Sequence, residues 1–322
     1  MSKLPPYISD LGHGQISYAV PLAIREVTSY AFVLKCETAR VQTLLDSQLN
    51  AIAGSPVRYE ALPFLFHCYL QAKHCTSTAE VIGWLPDRES AFLVPVLEHR
   101  AGHLLPRIKL WVPYLLIDQM AGMVTGREVW GYRKSLGAIQ VPDDPQQPTA
   151  FAAQTTVFKT FSAQTEGLWQ TLVQVRQTSA AAAQAQDWKD HGEAIGAVIE
   201  RLAGEVGGEV LALLAKLLEP LLKLPTIPIV NLKQFRDVQD STRACYQALV
   251  ESPCRMDLWR HGGWLGGDFE LDITTCASHQ VVQDLGLAAA AGADTTTVKP
   301  LFGLYAQFDF STLPGSVIWQ KV

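Results

Sequence analysis

No segment of this 322-residue chain concentrates lysine and arginine, and its 26 basic and 31 acidic side chains give a net charge of −5. A protein that binds the phosphate backbone of nucleic acids needs such a basic patch. Nucleic acid is therefore excluded as a main partner. The most apolar stretch, residues 195–230, is interrupted throughout by charged side chains, which is atypical of a membrane-spanning helix, so no membrane association is expected.

Paired cysteines are also missing, because none of the six cysteines stands in a C-x-x-C pair. The N-terminal residues lack the apolar stretch that is typical of a secretory signal. Free thiols in a reducing compartment are the simplest interpretation, and we expect a cytoplasmic protein.

Three common ligand-binding and catalytic motifs are absent from the sequence. There is no G-x-x-x-x-G-K-[ST], no G-x-G-x-x-G after a predicted strand, and no G-x-S-x-G. His99 and His103 have a spacing that can bind a metal on a helix, but Arg100 and Gly102 between them favour a turn. We therefore expect neither a cofactor nor a bound metal.

Short runs of aromatic and aliphatic residues dominate both ends of the chain. They predict strands at residues 27–35, 62–72, 90–98 and 108–117, and again in the segments IVNLKQFRD, ACYQALVES, FELDITTC and LFGLYAQFDF. Turn residues separate the early runs, among them Pro86-Asp87. Residues 37–50 predict a short helix between the first two strands.

A helical pattern lies between these two β-rich parts. Apolar residues from Ile195 to Leu217 recur at spacings of three and four, and Pro220 and Pro225 end the pattern. Packing on the protein's own sheet or on a sister subunit explains this stripe better than a partner-binding or membrane-surface helix does. The order of sheet, helices and sheet predicts a β-rich α+β fold.

Lys134 follows an apolar and aromatic run within residues 125–137, TGREVWGYRKSLG. A lysine in water has a pKa of about 10.4, so roughly one amine in 2,500 is neutral at pH 7. Burial can lower that pKa by about 3–5 units and make the amine a usable nucleophile. An ordinary lysine would instead extend from the sheet edge into solvent, and composition alone leaves both interpretations open.

The segment GREVWGYRKSLG resembles the active-site segment of the acetoacetate decarboxylase family, G-R-E-x-x-x-[YF]-P-K-K-L-[AG]. In that family the first lysine of the pair forms a Schiff base with a β-keto acid, and the match places it on Lys134. The segment ESAFLVPV is similar to the family's E-S-G-x-x-x-P-V and implies an active-site glutamate at Glu89. Arg25 matches the family's pocket arginine, and Asp118 precedes Gly126 at the family's spacing.

The resemblance implies one domain over residues 1–322, with a large antiparallel sheet curled into a cone or barrel-like pocket and a helical insertion at approximately 178–225. It also implies a homo-oligomer and a lyase that releases carbon dioxide from a β-keto acid bound to Lys134. Arg25 would bind the substrate carboxylate. Glu89 would act as general acid and base, which requires a pKa raised by its apolar neighbours Phe92 and Val94.

Two positions depart from the family's pattern: Ser135 replaces the second lysine and Arg133 replaces the proline. Neighbours on a strand point to opposite faces, so neither is expected to share the pocket with Lys134. Burial alone would then lower the pKa of the lysine. Three positions compete for the family's second pocket glutamate: Glu60, His67 and Gln71.

Two alternatives to decarboxylation follow from the missing second lysine and the apolar composition. The same Schiff base could support aldol, dehydration or cyclisation chemistry. A pocket with an incidental Lys134 could instead bind a small apolar ligand without catalysis.

Overall fold

The computed structural model describes residues 4–9, 11–14, 17–179, 181, 184–186, 188–206, 226–288, 290–291 and 294–321. The strands of the first half are β1 (Leu22–Lys35), β2 (Val57–Ala61), β3 (Phe64–Ser77), β4 (Leu85–Arg100), β5 (Arg107–Ile117), β6 (Lys134–Leu136), β7 (Ala138–Gln140) and β8 (Ala150–Val157). Those that follow are β9 (Leu168–Ser179), β10 (Gln184–Gln186), β11 (Thr226–Arg236), β12 (Ala244–Trp264), β13 (Asp268–Thr274), β14 (Ala290–Ala291), β15 (Thr295–Val298), β16 (Phe302–Thr312) and β17 (Ser316–Lys321). The helices are α1 (Thr38–Gln48), α2 (Met120–Thr125) with a π-helical turn (Gly126–Trp130), α3 (His191–Val206) and α4 (Val281–Asp284).

The larger sheet closes on itself. Its ring runs β4–β3–β1–β16–β12–β11–β5 and returns to β4, while β2, β6, β10 and β17 pair at its margins. Most neighbours are antiparallel, but β5 pairs in parallel with both β11 and β6. The predicted β-rich α+β fold with a sheet curled around a pocket is thus confirmed, with two short parallel pairings added.

A second sheet, in the order β14–β15–β13–β9–β8–β7, packs against the ring. Of the strands predicted in the second half of the chain, β11, β12 and β16 complete the first sheet, whereas β13 belongs to the second sheet. Phe151 of β8 lies in the core between the sheets, with its ring centroid 5.0 Å from that of Tyr30 and 5.2 Å from those of Phe32 and Tyr69. An alternating pattern predicts a strand and its buried face but does not identify the neighbouring strand.

Helix α3 lies within the predicted helical insertion at approximately 178–225, whose described residues also include the end of β9 and strand β10. Ala194 and Leu202 are buried in a cluster with Trp264 of β12 and Phe302 of β16, so this part of the helix packs on the protein's own sheet. The remainder of the predicted stripe, at 207–225, lies outside the described residues. In the part of the chain that the structure describes, no helix is both long and apolar enough to cross a membrane.

The predicted turn at Pro86-Asp87 is wrong, because both residues lie within β4. The register of β4 against β3 shifts between the pairs Ala72–Asp87 and Cys75–Leu85, so Pro86 sits at an irregularity near the start of its strand. A proline is tolerated at such a place because no regular ladder hydrogen bond is lost there.

Replacing Phe151 should test the contact between the two sheets. Phe151 is 1% exposed, and deleting a buried aromatic ring costs about 3–5 kcal/mol. We expect Phe151→Ala to lower the free energy of unfolding by about that amount in urea denaturation. Val238→Ala is the control, because Val238 is 97% exposed; an unchanged midpoint in Phe151→Ala would contradict the assigned packing.

Candidate active site

The segment from α2 to β6 positions Lys134. Gln119 caps α2 by accepting a hydrogen bond from the Gly122 backbone N–H at 2.8 Å, and the π-helical turn that follows has Gly131 as its C-terminal cap. Gly131 has a φ of 74°, and a Cβ there would lie 2.5 Å from Lys233 Cα, so glycine is required. The chain can therefore turn sharply and place Lys134 at the first position of β6.

The Lys134 amine is buried and contacts Glu89 directly. Its Nζ lies 2.5 Å from Glu89 Oε1, and the two side chains are only 12% and 21% exposed. Gly126 makes room for the lysine, since a Cβ at that position would lie 2.8 Å from Lys134 Cδ and Cε. The structure thus brings together two of the three site residues that the sequence indicated.

Both side chains face a cavity of about 230 Å³ inside the closed ring of strands. Each of the seven ring strands contributes at least one lining residue. The apolar part of the wall includes Leu22, Ile24, Leu70, Ala91, Met256, Phe308 and Phe310. A carbonyl compound that enters this space would meet the Lys134 amine in largely apolar surroundings.

Asp87 is a third ionisable group on the wall, and the sequence reasoning missed it. The residue is 6% exposed, and its Oδ1 has no hydrogen-bond partner among the described residues. Burial, reinforced by the charge of Glu89, raises the pKa of the Asp87 carboxyl to about 8. Asp87 therefore carries a proton at neutral pH. Residues 87 and 89 of one strand point to the same face, so a sequence that places Glu89 in the pocket also places Asp87 there. The predicted turn at Pro86-Asp87 hides this signal.

None of the three positions considered for the second pocket acid lines the cavity. Glu60 is exposed on β2, where its carboxylate lies 2.8 Å from the His99 ring. His67 and Gln71 lie on the face of β3 opposite to the cavity-lining Cys68. The cavity's second carboxyl group belongs to Asp87 instead.

The charge balance of the cavity reverses the expected shift in the pKa of Lys134. Burial lowers the pKa of the ammonium, but attraction to Glu89 and Asp87 outweighs burial, so the pKa lies above its ordinary value. The expectation of a lowered pKa is therefore wrong for the unliganded site. Glu89, in contact with the ammonium at 2.5 Å, can accept the proton that Lys134 has to lose before it can act as a nucleophile.

Burial does lower the pKa of a different lysine, Lys233. Its Nζ lies 5.5 Å from the ring centroids of both Phe235 and Tyr246, and the residue does not line the Lys134 cavity. Lys233 is therefore the natural comparison when the reactivity of Lys134 is measured.

Arg25 lies outside the cavity, in contrast to the pocket position that the resemblance implies. Its Nη1 donates to Asp257 Oδ2 at 2.7 Å and to the Phe310 carbonyl at 2.8 Å. Ile24 occupies the inward-facing position of β1, and the alternation of the strand directs Arg25 to the other side. The guanidinium is thereby held in an ion pair away from Lys134.

The other positions of the matched segments lie around the cavity rather than within it. Asp118 accepts a hydrogen bond from the Arg88 backbone N–H at 3.0 Å and so joins the end of β5 to the start of β4. Arg133 and Ser135 line a separate cleft of about 850 Å³. They do not line the cavity of Lys134, as the alternation of a strand predicts.

Comparison with solved structures identifies the fold. The chain superposes on acetoacetate decarboxylase from Legionella pneumophila subsp. pneumophila str. Philadelphia 1 with a TM-score of 0.59 and 12% identity, over 99% of this chain and 93% of that one. An acetoacetate decarboxylase-like enzyme from Sphingomonas wittichii RW1 gives a TM-score of 0.53 and 14% identity, over 97% of both chains.

A third structural relative is the enduracididine biosynthesis enzyme MppR, complexed with the condensation product of pyruvate and imidazole 4-carboxaldehyde. It gives a TM-score of 0.56 and 11% identity, over 99% of this chain and 98% of that one. No protein-family model and no curated protein sequence matches the chain. The protein therefore has an acetoacetate decarboxylase-like fold, and the resemblance in sequence is confirmed at the level of fold.

Asp87 should make stability depend on pH. Its pKa of about 8 exceeds the value of about 3.9 in an unfolded chain, so unfolding releases a proton between these values and stability falls as pH rises. Asp87→Asn cannot release that proton. We expect wild type to lose stability relative to this variant between pH 5 and pH 8 in urea denaturation.

The matched control is Asp272→Asn. A hydrogen bond from Arg176 holds the pKa of Asp272 below its ordinary value, so this carboxylate is ionised in both the folded and the unfolded state across the same pH range. The difference in free energy of unfolding between Asp272→Asn and wild type should therefore stay constant with pH. Parallel stability profiles for wild type and Asp87→Asn would contradict the protonation assigned to Asp87.

Proposed function

We propose that this protein is a lyase that decarboxylates a β-keto acid through a Schiff base on Lys134. The observation that carries the proposal is the buried Lys134 amine, 2.5 Å from a carboxylate and open to an apolar cavity. The acetoacetate decarboxylase-like fold supports it.

The first step would be imine formation. The Lys134 ammonium transfers a proton to Glu89, and the free amine attacks the ketone carbon of the substrate. The protonated Asp87 carboxyl then donates a proton to the hydroxyl group of the adduct, which leaves as water. The product is an iminium ion on Lys134, and the two carboxyl groups have exchanged their protonation states.

Loss of carbon dioxide would follow from the charge of the iminium. The electron pair of the bond to the carboxylate moves toward the positive nitrogen, which releases carbon dioxide and leaves a neutral enamine. Glu89 returns its proton to the enamine carbon, and water hydrolyses the resulting iminium to free the ketone and the lysine ammonium. A proton from solvent then restores the Asp87 carboxyl group, which accounts for the one proton that the overall reaction consumes. Because Arg25 is held by Asp257, we assign attraction of the substrate carboxylate to the iminium itself.

The alternative is condensation chemistry on the same Schiff base. It is favoured by the structural likeness to MppR, whose complex holds a condensation product of pyruvate and an aldehyde. Carbon dioxide release separates the two reactions: if borohydride traps an imine with β-keto acids but no carbon dioxide is released, condensation is the better assignment. A cytoplasmic location and a homo-oligomeric assembly stay predictions from the sequence.

Trapping with borohydride tests the nucleophile. Incubation with acetoacetate and borohydride should add one covalent group to wild type, detected by intact mass and located by peptide mapping at Lys134. Lys134→Arg should form no adduct and have no activity, because a guanidinium stays protonated and cannot form an imine.

The control for this experiment is Lys233→Arg, which changes the described lysine whose pKa is lowered by burial. It should keep both the adduct and turnover. Binding without catalysis would be the correct assignment if wild type formed no adduct, and an adduct mapped to Lys233 would refute the role of Lys134.

Glu89→Gln should separate binding of the carbonyl from proton transfer. This substitution removes the carboxylate that raises the pKa of Lys134, and the glutamine amide that replaces it cannot accept the proton of the ammonium. We expect the adduct to form still, while the rate of product formation falls by roughly 10²–10⁴-fold, the usual contribution of a general acid or base. Glu60→Gln, on the exposed face of β2, should match wild type; an undiminished rate in Glu89→Gln would exclude the acid–base role.

A further inference from the structure

The two carboxyl groups and the amine of the cavity lie on one side of the ring. Asp87 and Glu89 lie on β4, and Lys134 reaches in from β6 beside β5. Around the closed ring, β16 is the third strand from β4 in one direction and β12 is the third strand in the other direction. These two strands therefore form the wall opposite to β4. A substrate whose carbonyl reaches Lys134 must therefore extend toward β12 and β16.

That opposite wall is apolar. Phe308 and Phe310 of β16 and Met256 of β12 face the cavity and are each only partly buried, so their side chains are free to contact a ligand. Beside them the wall carries the neutral side chains Cys254 and Thr312. Burial of an alkyl group against such a surface contributes about 0.8 kcal/mol per CH₂.

The size of the cavity leaves space beyond an acetoacetate molecule. An apolar protein cavity of about 150 Å³ holds benzene, with six non-hydrogen atoms, so about 230 Å³ would hold roughly nine. Acetoacetate has seven. The remaining space corresponds to about two additional methylene groups, and it would otherwise stay unfilled or hold poorly bonded water.

A second negative charge on the substrate has no partner here. Lys134 is the one cationic side chain among the described residues that line the cavity, and two carboxyl groups stand beside it. Burial of an unpaired carboxylate is costly. The cavity should therefore exclude keto dicarboxylic acids.

We propose that the preferred substrate is a β-keto monoacid with an alkyl substituent longer than methyl on its carbonyl carbon, seated against Met256, Phe308 and Phe310. The reaction at the carbonyl rests on the proposed Lys134 Schiff base. The alkyl site is a property of the cavity wall and can be measured without that chemistry.

Decarboxylation rates test the substrate class. With 3-oxobutanoate, 3-oxohexanoate and 3-oxopentanedioate, we expect kcat/KM to rise about fourfold for each buried methylene, or roughly 15-fold from the first acid to the second. The dicarboxylate should be the poorest substrate. Equal rates for the two monoacids, or a preference for the dicarboxylate, would overturn the proposal while leaving the Schiff-base function in place.

A charge placed on the apolar wall should invert this preference. Met256→Lys supplies a cation for a second carboxylate and should raise the kcat/KM ratio of 3-oxopentanedioate to 3-oxohexanoate at least tenfold. Leu258→Lys adds the same charge on the same strand, at a residue that is 49% exposed and outside the cavity lining. An equal change of the ratio in both variants would contradict the assigned wall.

Binding of neutral ketones keeps the test independent of catalysis. Lys134→Ala cannot form an imine. Calorimetry of this variant with acetone, 2-butanone and 2-pentanone therefore measures only the non-covalent affinity of the cavity for the alkyl group. We expect the affinity to rise about fourfold for each added methylene and to lose this trend in Met256→Lys. If these ketones show the trend while wild type neither traps nor decarboxylates any β-keto acid, the alkyl site stands and the proposed reaction fails; a flat series refutes the site itself.

Discussion

The contact between the Lys134 ammonium and the Glu89 carboxylate organises the site, because it places a buried cation among two carboxyl groups. With both acids ionised the cavity would carry a net negative charge inside an apolar wall, which is costly. Asp87 relieves that cost by keeping its proton. The unliganded cavity is then electrically neutral, with Asp87 as a proton donor and Glu89 as a proton acceptor on its wall.

This arrangement depends on how β5 is paired. The strand meets β4 along one edge, and on its other edge it meets β11 first and β6 later. The first two pairings close the ring and enclose the cavity, and the third brings Lys134 beside Glu89 of β4. The second sheet packs on the outside through Phe151 and its aromatic neighbours, so it supports the ring without reaching the cavity.

The sequence predicted the fold class and the two residues in contact, Lys134 and Glu89, because short motifs keep their residues at fixed places in a fold. It misplaced Arg25 because one residue of register on a strand exchanges the inner and outer faces. It missed Asp87 because a Pro-Asp pair usually marks a turn. Here the irregular pairing of β4 with β3 allows Pro86 and Asp87 to lie within the strand. The motif does not predict the raised pKa of Lys134, because that pKa depends on burial and on charged groups of separate strands.

The high pKa of Lys134 is compatible with Schiff-base chemistry because ammonium and iminium carry the same charge. Conversion of one into the other with release of water leaves the total charge of the cavity unchanged, so the carboxylate that stabilises the ammonium also stabilises the iminium. The raised pKa slows the attack, which needs a free amine, but it does not oppose the adduct. Departure of carbon dioxide then removes one positive and one negative charge together, and an apolar wall favours that change more than water would.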